Sequence, residues 1–206
     1  SYVVERMIET AAREMGKDPD REPPFFFLKP ADSVVPAEGD VPYPPLTEDL
    51  HHEVELVIAI GTGGSDINEA DAHDHIWGYA VGIDLTRRDL QADAKAAARP
   101  WEWGKSFDAA APCGALVPVA QIGHPTTGAI WLDVNAEPRQ RGDLTEMIWR
   151  VPEIIAFCSR ASRLEPGDLI MTGTPAGVAA LQPGDRLTAG VSGVGEIAFT
   201  ISPPAR

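Results

Sequence analysis

The sequence predicts a single β-rich α+β domain, and three observations carry that reading. Five or more short runs rich in Val, Ile and Leu are each bounded by Gly, Pro, Asn or Asp, the pattern of strands and turns. Only a few stretches show a helical spacing of apolar residues, so the helices are few and short. The chain has 206 residues, 44% of them hydrophobic and 23% charged, which suits one well-buried core spanning 1–206.

Charge and composition narrow the partners. Asp and Glu number 31 against 17 Lys and Arg, for a formal net charge of -14. Nucleic acid and anionic membrane surfaces would be repelled by that balance. A small anionic substrate would be repelled at long range as well, so its pocket needs local cations. No apolar run approaches the roughly 20 residues of a membrane span. The N-terminal stretch mixes charges into its apolar residues and does not read as a signal peptide. Cys113 and Cys158 have no metal-type spacing and read as reduced thiols of a cytoplasmic protein.

Taken in order, Met7, Ile8, Ala11, Ala12 and Met15 give residues 5–16 a helix-like spacing, which Gly16 ends. This segment, within 1–22, is either a lid or a frayed terminus. Phe25-Phe26-Phe27-Leu28 is an extended apolar piece bracketed by prolines, and residues 31–50 form a Pro-rich irregular connection. His51 to Ile60 reads as a largely buried strand ended by Gly61, and residues 61–75 as a polar loop. His73 and His75 fall in that loop, where solvated histidines are the usual finding. Residues 77–84 are a second strand, and Thr86 to Ala98 turn into a short helix that Pro100 breaks. Residues 101–108 are an aromatic loop; residues 116–120 and 129–134 are further strands, the latter entering a turn at Asn135-Ala136. Val151, Ile154, Ile155 and Cys158 are helically spaced, with Pro152 suited to a first turn. Two Pro-Gly-Asp turns, at 166–168 and 183–185, each feed an apolar strand. Between them lies the loop Thr172-Gly173-Thr174-Pro175-Ala176-Gly177, without the lysine or spacing of a nucleotide loop.

Chemistry gathers on the first two long strands. Side chains alternate along a strand, so Glu53 and Glu55 share a side. Two neighbouring carboxylates on a core strand either sit at its wet mouth or grip a cation. Asp84 adds a third acid, although it would serve equally as a cap for the following helix. All-oxygen ligation favours a hard divalent ion, Mg²⁺ or Mn²⁺, over zinc, for which no Cys/His cluster is present. Arg88 and Lys105 follow closely, and taken alone they read as surface charge.

In this order the pieces are specific: Phe26-Phe27-Leu28-Lys29-Pro30, Glu53-Val54-Glu55-Leu56, Gly82-Ile83-Asp84 with Arg88-Asp89-Leu90-Gln91, Gly104-Lys105-Ser106-Phe107-Asp108, Val151-Pro152-Glu153-Ile154-Ile155, and Pro166-Gly167-Asp168 through Gly177. Together they resemble the fumarylacetoacetate hydrolase family over nearly the whole chain, above all its short single-domain fumarylpyruvate and acylpyruvate hydrolases. The resemblance implies a mixed β-sandwich or roll like the family's C-terminal domain, a homodimer, and one Mg²⁺ or Mn²⁺ on Glu53, Glu55 and Asp84. It implies hydrolysis of the C3–C4 bond of a 2,4-dioxo acid to pyruvate and a carboxylic acid, in aromatic-compound breakdown. Lys105 would stabilise oxyanion charge, and Arg88, Gln91 and Thr174 would hold the 2-oxo acid. One departure stands out. Glu14 matches the family's lid acid, but Ala11 stands where a water-activating His is usual, and Met7-Ile8 replaces Asn-Tyr. His51 and His52 adjoin the metal strand, but their spacing selects neither as a substitute. The absent His gives weight to a second reading, tautomerisation, isomerisation or decarboxylation of a 2-oxo diacid such as oxaloacetate. A third, a non-catalytic metal-holding scaffold, is disfavoured because every other part of the site is kept.

Overall fold

The structure, a computed structural model, describes the backbone of residues 2–5 and all of residues 24–204. The helical spacing at 5–16, and with it Ala11 and Glu14, lies outside the described residues. Tyr2–Glu5, inside the stretch read as a lid, is a strand: it runs parallel to Leu169–Met171 and antiparallel to Phe25–Leu28.

Among the described residues the strands fall into three sheets. The largest is built on the antiparallel pair Val54–Ile60 and Ile76–Ile83. Leu169–Met171 flanks the first of these and Ala111–Cys113 the second, with Val34–Pro36 parallel to the latter at the edge. A second sheet runs Glu137–Asp143, Ala129–Val134, Arg186–Val191, Gly195–Ser202 and Asp40–Pro42. A small third sheet joins Ala179–Leu181, Leu50–His52 and Thr86–Arg87.

The first two sheets pack face to face, as the alternation of side chains requires. Leu56, Ile58 and Ile60 enter one core with Tyr79, Val81, Ile130, Leu132, Leu187 and Phe199. Val57, on the opposite face, joins a smaller cluster with Ala80, Ala111 and Met171. A strand covered on both faces reads as an unbroken apolar run, which is why this one was visible in the sequence. Each such buried side chain contributes roughly 1.5–3 kcal/mol against the entropy of ordering the chain. The Val151–Ala161 helix buries Val151, Ile154, Ile155 and Cys158, and Glu153 accepts from Arg150 N at 2.7 Å to satisfy its first turn. No helix among the described residues is long and apolar enough to cross a membrane, and both cysteines are free thiols.

Several local expectations needed correction. The His51–Ile60 strand is broken at Glu53, which separates Leu50–His52 from Val54–Ile60 and sends them to different sheets. Residues 116–120 are mostly not a strand: only Val117–Pro118 pairs, and a helical turn, Val119–Ile122, starts directly after Pro118. The aromatic loop holds a helical turn at Glu102–Lys105. Glu137–Asp143 is a strand the sequence did not show, because its residues are polar and include Pro and Gly; Asn135 and Ala136, with φ of 53° and 65°, make the tight turn that pairs it with Ala129–Val134.

The Thr172–Gly177 loop lies against this added strand. Gly177 has φ +97°, and a Cβ there would sit 2.0 Å from Arg139 O. Only glycine allows both the backbone conformation and the approach. Gly177→Ala is therefore expected to destabilise the protein by about 1–3 kcal/mol or more, read as a lowered denaturation midpoint. An unchanged midpoint would mean that the loop and the strand separate without cost.

Candidate metal centre

Strand register assembles the acids. Val54 pairs with Ile83 and Glu55 with Gly82, so Asp84 arrives beside Glu53, and Asp84 N donates to Glu53 O at 2.8 Å. One carboxylate oxygen from each of Glu53, Glu55 and Asp84 lies within 4.8 Å of the others. The three residues are 4%, 1% and 0% exposed, so the wet-mouth alternative does not apply. Nor does Asp84 cap the Arg88–Ala96 helix, which has no side-chain cap.

Three buried carboxylates need positive charge, and the structure supplies it. Lys105 Nζ donates to Glu53 Oε2 at 2.8 Å, Asp84 Oδ2 at 2.6 Å and Thr86 Oγ1 at 2.7 Å. Arg88 pairs with the other oxygen of Glu53. Lys29 Nζ lies 2.8 Å from Asp84 Oδ1 and also donates to the backbone oxygens of Leu85 and Lys105. Both lysines lie over aromatic faces, Lys29 over Phe107 at 5.4 Å and Lys105 over Phe27 at 5.0 Å. The sequence had offered Lys29 only as part of a matching stretch; its place beside Asp84 comes from the fold.

The acids are not equally served. Burial would raise the pKa of Glu53, but Lys105 and Arg88 outweigh it and hold the group down at about 2. Glu55 is pushed well above the ordinary carboxylate range, first by burial and then by the charges of Asp84 and Glu53. Its carboxylate accepts from Gly173 N–H, yet it takes part in none of the ion pairs among the described residues. The site thus fits a divalent metal: an all-oxygen donor set suited to Mg²⁺ or Mn²⁺, with one carboxylate still in want of a cation.

The other sequence candidates gather around the acids. Arg88 Nη1 donates to Gln91 Oε1 at 2.6 Å, and Gln91 Nε2 is buried with no hydrogen-bond partner among the described residues. Thr174, one residue beyond Gly173, is held at 2.7 Å by Gln140 Nε2. Gln140 is 0% exposed, on the Glu137–Asp143 strand, and sequence reasoning missed it together with its strand. The histidines are engaged elsewhere. His52 Nδ1 meets Gln140 Oε1 at 2.9 Å, with burial driving its pKa down to about 4, and His51 Nε2 meets Asp49 at 2.9 Å. His73 stacks on His124 at 4.0 Å and His75 bonds Thr62 O, so neither joins the acids. Glu14 lies outside the described residues.

Residues 2–202 match the family model described as fumarylacetoacetate (FAA) hydrolase C-terminal. A fumarylpyruvate hydrolase of a Ralstonia species is 43% identical over 191 residues, covering 92% of this chain and 99% of its own. A mitochondrial oxaloacetate tautomerase of Arabidopsis thaliana is 40% identical over 190 residues, covering 92% and 85%. The crystal structure of fumarylpyruvate hydrolase from Pseudomonas aeruginosa in complex with Mn²⁺ and pyruvate superposes with a TM-score of 0.95, at 50% identity, over 98% of this chain and 88% of that one.

The unequal charge balance separates two variants. In metal-free protein, Glu53→Gln leaves Lys105 and Arg88 short of a partner and is expected to cost about 3–5 kcal/mol. Glu55→Gln is expected to be at least as stable as the parent, because it replaces a buried carboxyl whose charged form is disfavoured and has no ion pair among the described residues. Calorimetry in chelator checks both, and Mn²⁺ should then raise the melting temperature of the parent but not of Glu55→Gln. A destabilised, Mn²⁺-responsive Glu55→Gln would contradict this assignment.

Proposed function

This chain belongs to the fumarylacetoacetate hydrolase family, and we propose that it is a Mg²⁺- or Mn²⁺-dependent hydrolase of an acylpyruvate such as fumarylpyruvate or maleylpyruvate. The products would be pyruvate and a carboxylic acid, in aromatic-compound breakdown, with the enzyme working as a cytoplasmic homodimer. The observation that carries the reading is the buried set Glu53, Glu55 and Asp84 with Lys105 lodged among them. The Pseudomonas aeruginosa relative with Mn²⁺ and pyruvate supports the same metal and product class.

On this reading Glu53, Glu55 and Asp84 hold the ion, which when bound supplies Lewis-acid stabilisation and a template for the 2-oxo acid. Water adds to the C4 carbonyl; the C3–C4 bond then breaks, and its electron pair leaves with pyruvate as the enolate, which takes a proton at C3. Lys105, fully buried, stabilises developing oxyanion charge where water competes least. Arg88 holds a substrate carboxylate or oxo group and fixes the Gln91 amide, because its N–H can only face the amide oxygen; the buried Gln91 Nε2 is left as a donor. Thr174 adds a hydroxyl from the opposite loop. These donors give an acidic protein the local positive field that an anionic substrate requires. Glu14 is the residue we assign to the attacking water, from the N-terminal segment.

A second reading, oxaloacetate tautomerisation, is favoured by the 40% identical Arabidopsis thaliana relative and by Ala11. Both reactions use a stabilised enolate, and only hydrolysis consumes water. Protein loaded with Mn²⁺ and given fumarylpyruvate, acetylpyruvate and oxaloacetate, with products followed by NMR, decides between them. Pyruvate plus a second acid from the acylpyruvates is the expected result. Enol–keto exchange of oxaloacetate with no acylpyruvate cleavage would overturn it.

Two variants extend the test. Lys105→Met should lower kcat by about 10²–10³-fold, as loss of a preorganised oxyanion donor does. Ala11→His should raise acylpyruvate hydrolysis at least about tenfold, the lower side of general-base assistance, and leave oxaloacetate tautomerisation nearly unchanged. An imidazole seen beside Glu14 in an oxalate complex, with hydrolysis unchanged, would remove the N-terminal segment from the water-activating role.

A further inference from the structure

Gln140 reaches out of the second sheet to the edge of the acid cluster, and its hydrogen bonds fix more than its own position. Val54 N–H, which can only donate, lies 3.1 Å from Gln140 Oε1. Pro175 O, which can only accept, lies 2.8 Å from Gln140 Nε2. These two backbone groups settle which end of the amide is oxygen and which is nitrogen. The second lone pair of Oε1 takes His52 Nδ1 at 2.9 Å, so that ring nitrogen carries a hydrogen. The second N–H of Nε2 lies 2.7 Å from Thr174 Oγ1. All four hydrogen-bonding positions of the amide are therefore taken, and the amide cannot turn over without setting like against like at Val54 and Pro175.

The consequence falls on Thr174. A hydroxyl donates or accepts according to its neighbours, and here the neighbour is an N–H that cannot accept. Thr174 Oγ1 must accept from Gln140, which leaves its proton for a different oxygen. Thr174 is partly exposed and follows Gly173, whose N–H binds Glu55 at the acid cluster. We propose that Gln140 is a positioning residue that holds the Thr174 hydroxyl as an obligate donor and so tunes the site for the anionic oxygen of a 2-oxo acid. A carboxylate or carbonyl in place of the Gln140 nitrogen would consume that proton and turn oxygen lone pairs toward an anion. This inference rests on the reading of Thr174 as a substrate contact.

The test uses Mn²⁺-loaded full-length protein and oxalate as the anionic probe, with binding measured by calorimetry and Mn²⁺ affinity measured separately by paramagnetic resonance. Thr174→Val should weaken oxalate about 10–100-fold, the range for a hydrogen bond to a charged group, whereas Thr174→Ser should retain affinity. Gln140→Glu should weaken oxalate to a similar degree without a comparable loss of Mn²⁺. The double variant should be no weaker than the worse of its parents, because both changes remove one donated proton. If Gln140→Glu binds oxalate as the parent does while Thr174→Val does not, the inference is overturned and the substrate contact stands. If Thr174→Val has no effect, the contact itself falls, and the inference with it. Should Gln140→Glu fail to fold, NMR of the Gln140 side-chain amide decides: both protons should exchange slowly in the parent, and one should become fast in Thr174→Val. Two unaltered protons would overturn the inference.

Discussion

Burying three carboxylates at the ends of two adjacent core strands is the constraint that shapes the rest of the molecule. Leaving one such charge unpaired in a low-dielectric interior costs several kcal/mol, so the fold has to bring cations to it from a distance. Lys105 comes from a helical turn, Arg88 from the start of a helix and Lys29 from the segment after Phe25–Leu28. The lysines must be desolvated in turn, and burial lowers the pKa of Lys29 despite the nearby Asp84. Its contacts with the carbonyls of Leu85 and Lys105, and the Phe107 face beneath it, offset that cost and tie three chain segments together. Charge balance here is also tertiary structure.

The same constraint explains why the balance stops short. Three cations for three acids would make a closed ion-pair cluster, but they are shared between Glu53 and Asp84, and Glu55 receives a backbone N–H instead. The deficit at Glu55 leaves a driving force for a divalent ion, while the pairing at the other two keeps the strands in register.

Much of this was legible in the chain, and what was not has physical reasons. The Val54–Ile60 strand showed itself because both of its faces are buried, and its acids drew attention because carboxylates are out of place there. The order of short matching stretches then named Arg88, Gln91, Lys105 and Thr174, and the fold brings all of them around the acids. Gln140 stayed hidden for the opposite reason. Its strand, Glu-Pro-Arg-Gln-Arg-Gly-Asp, has no apolar alternation, and one inward glutamine among exposed polar residues leaves no periodic signal. Lys29 was hidden because lysine is ordinarily a surface residue, and only the folded chain shows it against Asp84.

Hydrolysis and tautomerisation make the same demand on the floor of this site, which is to hold negative charge on an enolate oxygen. On the proposed reading Lys105 and Arg88, with the ion that the acids would hold, meet it for either reaction, so their presence does not discriminate. The extra demand of hydrolysis is a group that takes a proton from water. Among the described histidines, His52 gives one ring nitrogen to Gln140 and His51 one to Asp49, leaving His52 Nε2 and His51 Nδ1 buried without a partner among the described residues, while His73 stacks on His124 and His75 bonds Thr62 O. On the proposed reading, with Glu14 assigned to the attacking water, the choice of reaction belongs to the N-terminal segment that carries Ala11 and Glu14, and the acid cluster is common ground. That division agrees with the presence of both a fumarylpyruvate hydrolase and an oxaloacetate tautomerase among relatives of 40–43% identity. On that reading the acids and their cations are the part to be kept while residues of the N-terminal segment vary, because altering the cluster would unbalance three buried carboxylates.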